Sequence, residues 1–448
     1  MPDPAGIADP PRHAVPEAPP SLARRRPSLA QLRESETAKA VGLAGAMMAS
    51  NVVALATTVA FGRILGVEGY GSLAALVSTF LILSVPGAAL QVATAREGAL
   101  GRLGEGRELA ATIARWTRTM VVVTLGLSVV AALLRAPLAS AIGVDQEWAA
   151  AATIPTACLW ILLSIQRGTL QSQRSYAAVG ISMPSEQLAR LLLGVVLAVA
   201  GLGVTGAWLG TPLAMAALAA ILGLRLRRQL GQADSEAPPH PLRALVVAGW
   251  TAIAGLALIA ILQNIDVIIA KHDLSSRGAG SYASAAVAAK VVIWVAIGVG
   301  FHLLPEAARR HAAGRDARGV LGRALAVVLA VGVPCLLLYA AVPRLVLRVA
   351  FGPQYESGSQ ALLLLAIAMT LLACTYLAVQ LLLALHNRWF LAGLAAVALL
   401  EPVLLLTLGH DDSLAAFASI VLGLQAVACG FTLILAVRRA GPVRGNAP

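Results

Sequence analysis

The 448 residues are 58% hydrophobic and only 12% charged, with a mean hydropathy of +0.80, whereas soluble domains carry about 25% charged residues. The chain is therefore read as an all-α polytopic membrane protein, and a soluble enzyme or binding module is excluded. The formal net charge of +12 does not signal a nucleic-acid partner, because the basic residues lie in short segments between apolar runs, where the positive-inside bias of membrane proteins accounts for them.

In chain order, residues 1–36 are Pro-rich, carry Arg24, Arg25 and Arg26, and lack a continuous apolar stretch. They read as a disordered cytoplasmic tail rather than a secretory signal. Six apolar runs follow, at about 38–61, 70–92, 112–134, 147–165, 177–200 and 203–224. Each is long enough as a helix to cross a hydrocarbon core of roughly 30 Å. The Arg- and Pro-rich stretch 225–243 then reads as a cytoplasmic linker, and six further runs follow at about 244–265, 280–303, 320–342, 358–385, 389–407 and 414–437. The expected organisation is thus a tail (1–36), a six-helix lobe (37–224), a linker (225–243), a second six-helix lobe (244–437) and a C-terminal tail (438–448). With both termini on one side and charges at span ends counted with the loop they adjoin, 26 of the 34 Lys and Arg fall on that side and six on the other, leaving only Arg190 and Lys290 deep inside spans. That bias places both termini in the cytoplasm.

The two halves echo each other. Leu65, Gly69 and Gly71 in GRILGVEGYG (62–71) return as Leu274, Gly278 and Gly280 in KHDLSSRGAGSY (271–282), each 209 residues later, and Glu186 finds Glu401 after 215. The basic loop from Arg96 to Arg107 matches that from Arg309 to Arg318, and LQSQRSY (170–176) matches LALHNRWF (383–390). Six spans per half make the repeat parallel, with its pseudo-axis along the membrane normal, an arrangement that suits a transporter with its site between lobes.

Charges within spans are costly and mark internal sites, at about 2.5–3.5 kcal/mol on insertion scales. Arg190, mid-span in ISMPSEQLARLLLG (181–194), offers a planar fork of donors suited to phosphate oxygens. Glu186, one turn earlier, could instead neutralise it as an i,i+4 pair. Lys290 lies some ten residues into the eighth span, either facing a cavity or paired with Asp266. Asp266, near the end of the seventh span, could take up a proton or Na⁺, or cap Lys271. Glu186 and Glu401 are the other ion-coupling candidates, with Glu401, ahead of Pro402, also readable as an ion-pair or kink-site partner. Arg63 could meet a substrate or form an interfacial bridge with Glu68, and its repeat mate Lys271 is read in the same way. Prolines at 86, 155, 184, 212, 334 and 402 can bend their helices. Cys158, Cys335, Cys374 and Cys429 lie in apolar runs without metal-ligand spacing and read as buried small residues. The seven His are scattered without metal-ligand spacing and there is no P-loop, so no cofactor, no metal and no enzymatic activity is expected.

A first span ending in GRILGVEGYG, a second span, and then the Arg/Glu-rich loop from Arg96 to Arg107 resemble the start of Wzx-type polysaccharide flippases of the multidrug/oligosaccharidyl-lipid/polysaccharide (MOP) exporter superfamily. NIDVIIAKHDLSSRGAGSYASAAVAAK (264–290) carries the weaker echo, with Asp266, Gly280, Tyr282 and Lys290 in familiar contexts. The resemblance covers about residues 36–440. It implies two six-helix lobes around a cavity and the alternating-access flipping of a polyprenyl-pyrophosphate-linked oligosaccharide across a bacterial inner membrane. The partners it implies are that lipid-linked substrate, membrane lipids, and a polysaccharide polymerase or glycosyltransferases. Many relatives have fourteen spans where this chain has twelve. A cation-coupled multidrug exporter of the same superfamily, which would favour acids over cations in the cavity, is the nearest alternative. A membrane polymerase, ligase or assembly scaffold is the other, and it would need larger external loops.

Overall fold

The computed structural model describes residues 36–233, 240–313, 315–409 and 413–441. The disordered tail expected for 1–36 therefore lies outside the described residues except for Glu36, as do the middle of the linker and the last seven residues. Among the described residues the fold is helical throughout, without strands. Ten helical stretches are long and apolar enough to cross a membrane, and two of them, 48–99 and 176–230, run for 52 and 55 residues. At 1.5 Å per residue each would be more than twice the roughly 30 Å of a hydrocarbon core, and each is broken near its middle by glycine. Counted as two passes apiece they bring the total to twelve.

The first break separates α1 (36–65) from α2 (67–99). It falls on Gly66, whose φ of 68° is open to glycine and strained for other residues. The reversal inside GRILGVEGYG is thus one residue wide, and Gly69 and Gly71 already belong to α2. Helix α3 (Arg107–Leu133) leads to the short α4 (Arg135–Ile142), then α5 (Glu147–Ser172), α6 (Tyr176–Leu197) and α7 (Gly203–Leu230). The second half repeats this order: α8 (Leu242–Asp273), an eighth span split into α9 (Ser276–Ala289) and α10 (Val291–Ala312), α11 (Arg318–Ala341), the short α12 (Pro343–Ala350), α13 (Ser359–Ala384), α14 (Phe390–Leu408) and α15 (Leu414–Arg439). The first helical residues of the expected linker, 225–230, continue α7, and α15 carries on to Arg439.

The second half makes the turn equivalent to Gly66 differently. Leu274 and Ser275 are extended, and the Ser275 side chain caps α9 by accepting from the Gly278 amide at 3.2 Å, a standard way to satisfy a helix N-terminus. The short helices α4 and α12 hold their places alike. Arg135 pairs with Glu147 at 2.8 Å and Arg348 with Glu356 at 2.5 Å, and the two glutamates are 209 residues apart.

Each half packs about its own apolar cluster. Leu76 and Phe80 of α2, Leu163 and Leu170 of α5, and Trp208 and Met215 of α7 centre the first. Tyr282 of α9, Leu365 and Met369 of α13, and Phe417 of α15 centre the second. Lipid is as apolar as these side chains, so close backbone packing at small residues matters more than hydrophobicity in joining the spans. The lobes meet on the side of the Gly66 turn. There the repeat-related Gly71 and Gly280 touch: a Cβ on Gly71 would lie 2.9 Å from the Gly280 nitrogen, and one on Gly280 would lie 1.8 Å from the Val67 carbonyl oxygen. The Tyr355 hydroxyl donates to the Gly62 carbonyl at 2.6 Å, Arg63 donates to the Val349 carbonyl at 3.0 Å, and Tyr70 packs on Phe351 and Tyr355. In the other direction, Gly143 after α4 lies against the backbone of His272. On the linker side, α10 packs on α11 and α13 of its own lobe, while the start of α8 reaches the first lobe: Leu242 and Leu245 pack against its apolar cluster, and Trp116 of α3 donates to the His240 carbonyl at 2.7 Å.

Candidate functional site

Two buried polar clusters stand out in the apolar interior, one per lobe. In the first lobe α5 reaches Ser172, seven residues beyond the expected end of the fourth span, and so carries Arg167 into the interior. There the residue is 1% exposed. It pairs with Glu186 at 2.7 Å, donates from Nε to the Ser182 hydroxyl at 2.9 Å and from Nη2 to the Ser182 carbonyl at 3.0 Å, and faces the Trp160 ring at 5.9 Å. Arg190, one turn after Glu186 on α6, pairs with the other oxygen of the same carboxylate. Its guanidinium also lies 5.8 Å from the Phe80 ring of α2, near the upper end of the range for cation–π contact.

The expected Glu186–Arg190 pair is therefore present, but as part of a triad with two cations and one anion. Exposure tells the cations apart. The Arg167 and Glu186 side chains are 2% and 3% accessible and that of Arg190 is 16%, so the surplus positive charge has its outlet at Arg190. The Nε of Arg190 is buried without a hydrogen-bond partner.

In the second lobe α8 extends to Asp273, which places Asp266 two turns inside the helix instead of near its end. It is fully buried and accepts from the Tyr282 hydroxyl of α9 at 2.9 Å, so the alternative of a cap for Lys271 gives way. Lys271 itself is partly exposed in the last turn of α8. Lys290 sits at the break between α9 and α10, buried, with Nζ donating to the Asn264 side chain at 2.9 Å, and it interacts electrostatically with Asp266 without a direct ion pair. Glu401 of α14 is fully buried, and neither of its carboxyl oxygens has a hydrogen-bond partner. The ion-pair or kink-site role expected beside Pro402 is thus not what the structure shows. Glu401 interacts electrostatically with Asp266. On α15, Gln425 donates to the Leu262 carbonyl at 2.8 Å and leaves its own side-chain oxygen unpartnered.

Arg63 is exposed and bonded to the opposite lobe through Val349, not to Glu68, which is also exposed. It belongs to the contact between lobes. Arg167, Asn264 and Gln425 escape a reading based on charge within predicted spans. The spacing of Trp160, Leu163, Arg167 and Leu170 (i, i+3, i+7, i+10) follows one helical face, and this signal could have extended the fourth span to include Arg167. Three of the four cysteines are buried and Cys335 is partly so, and no group of three or more His, Cys, Asp or Glu suited to a metal occurs among the described residues.

Among the described residues, twelve passes in two repeat-related lobes define a multi-pass membrane protein with the fold of the MOP superfamily. Solved structures with this fold include a multidrug resistance MATE family transporter of that superfamily in an inward-facing conformation, with a TM-score of 0.70 and 14% identity over 90% of this chain and 98% of that one. The lipid II flippase MurJ, in an inward closed conformation, matches with a TM-score of 0.69 and 12% identity over 88% of this chain and 87% of its own. A MOP superfamily transporter from Pyrococcus furiosus, described as having a binding pocket of reverse polarity, matches with a TM-score of 0.56 and 15% identity over 91% and 97%. Comparison with curated proteins by sequence finds no match. The model of the polysaccharide biosynthesis protein family matches residues 37–301, and the chain belongs to that family.

Proposed function

We propose that this protein is a flippase that carries a polyprenyl-pyrophosphate-linked oligosaccharide from the inner to the outer leaflet of a bacterial inner membrane, by alternating access, for surface polysaccharide biosynthesis. The observation that carries this reading is the surplus cation at Arg190. A buried Arg–Glu–Arg group is one anion short of neutrality, and a diphosphate brings that anion in a geometry the guanidinium fork matches. Membership of a polysaccharide biosynthesis family supports the substrate class. The basic bias of the loops supports cytoplasmic termini, with the Gly66 turn on the outer side.

The second lobe supplies the drive in this reading. An unpaired buried carboxylate is strongly disfavoured in a low-dielectric interior, so Glu401, beside Asp266, takes a proton or a monovalent cation, with Tyr282, Asn264 and Lys290 setting the local hydrogen bonds. Glu186 has both oxygens engaged by arginines and serves the substrate side. A cation-coupled drug exporter would share the second-lobe cluster, but the net positive first lobe repels the cationic drugs that such exporters carry.

The test is transport by purified protein in liposomes. Lipid-linked oligosaccharide changes leaflet with the wild-type protein and fails to do so after charge reversal at Arg190. Absence of movement with the wild type, together with unaltered surface polysaccharide in cells carrying charge reversals at Arg190 and Lys290, would overturn the reading.

A further inference from the structure

Arg167 is too deeply buried to meet a substrate, yet its guanidinium is held by three oxygen atoms, one of Glu186 and two of Ser182. Its bonds to the Ser182 hydroxyl and carbonyl fix it to the same helix that carries Glu186 and Arg190, and Trp160 covers its face. From that anchored position it takes one oxygen of Glu186, leaving Arg190 only the other.

Charge arithmetic gives this sharing a purpose. Without Arg167 the carboxylate would face Arg190 alone, and an i,i+4 Glu–Arg pair is electrically complete. With Arg167 the carboxylate is divided between two cations, and one positive charge remains at the more accessible of them. Removing one partner of a buried ion group leaves its neighbours to compensate, so the effect of losing Arg167 would be felt at Arg190.

We infer that Arg167 is a positioning residue that keeps Arg190 available to an anionic group by occupying half of Glu186. This rests on the flippase reading for the identity of the anion, a pyrophosphate. It goes further in assigning the affinity to the net charge of the triad, with Arg190 as the only member that touches the ligand.

The experiment uses full-length protein in detergent with farnesyl pyrophosphate as the probe and farnesol as the uncharged control. Wild type binds the pyrophosphate in preference to farnesol. Arg167→Met leaves a neutral Glu186–Arg190 pair and lowers pyrophosphate affinity about tenfold or more, the scale of one lost charge-assisted contact. The double variant Arg167→Met/Glu186→Gln restores the single surplus charge and recovers the affinity to within about threefold of wild type, a span of well under 1.4 kcal/mol. A residue with a purely structural role would make the double variant worse than the single one. Thermal melting of both variants reads folding separately, so a misfolded single variant leaves the recovered double variant as the deciding measurement. If wild-type protein shows no preference for pyrophosphate over farnesol, the flippase reading fails. If wild type shows that preference and Arg167→Met keeps full affinity, or the double variant stays weak while folded, the role assigned to Arg167 is wrong and the flippase reading stands.

Discussion

The two repeat-related lobes hold their interior charges in opposite ways. In the first, two arginines surround one carboxylate and every oxygen of that carboxylate is engaged. In the second, two carboxyl groups and one lysine are spread over three spans, and Glu401 has no hydrogen-bond partner among the described residues. The repeat-related acids Glu186 and Glu401 make the contrast sharpest: one is saturated by cations and the other is bare. At these two equivalent positions the surrounding charge is net positive in the first lobe and net negative in the second. In the function proposed above, that separation would let one protein respond to a diphosphate and to an ion gradient at sites that do not compete.

The largest effect expected from breaking this division is at Arg190. Arg190→Glu turns the triad from net positive to net negative and places two carboxylates together in the interior. Transport in liposomes should fall about a hundredfold or more, as expected when a buried charge pair is replaced by repulsion costing several kcal/mol. The second lobe predicts a different failure. Glu401→Gln keeps the shape and removes the ionisable group, so transport should continue down a substrate gradient but lose its response to an imposed proton or Na⁺ gradient, with pyrophosphate binding unchanged.

The contact between lobes provides the next test. Gly280→Ala would place a methyl group against the Val67 carbonyl oxygen at 1.8 Å, and such overpacking costs about 1–3 kcal/mol. Spin labels on the exposed Ile64 and Leu345 should report a longer distance across the turn side in this variant. The smallest effect is expected for Tyr355→Phe, which removes only the 2.6 Å bond to the Gly62 carbonyl. A net contribution of about 0.5–1.5 kcal/mol should shift the balance of the same two label distances without abolishing transport.

Most of the helical frame was legible in the sequence because apolar runs bounded by Gly, Pro and charge leave few alternatives in a membrane. The runs at 107–133, 318–341 and 414–439 agree with expectation to within a few residues at each end. Errors gathered where a charge was taken as the end of a span. Arg167 seemed to close the fourth span and Asp266 to sit near the end of the seventh, yet both helices continue because each charge is buried against partners supplied by another helix. Hydropathy counts a charged residue as polar whether or not a neighbour completes it, and those neighbours, Ser182 and Glu186 for Arg167 and Tyr282 for Asp266, are known only from the packing. The motif GRILGVEGYG was informative in a similar way: its repeat was visible, but the meeting of Gly71 with Gly280 across the lobes depends on how the two copies face each other.

The division of labour is tested most directly by measuring, in one set of proteoliposomes, lipid-linked oligosaccharide transport with and without an imposed cation gradient for wild type, Arg190→Met and Glu401→Gln. The account predicts that Arg190→Met loses transport under both conditions, while Glu401→Gln retains the gradient-free rate and loses only the acceleration by the gradient. Equal loss of both activities in both variants would contradict it.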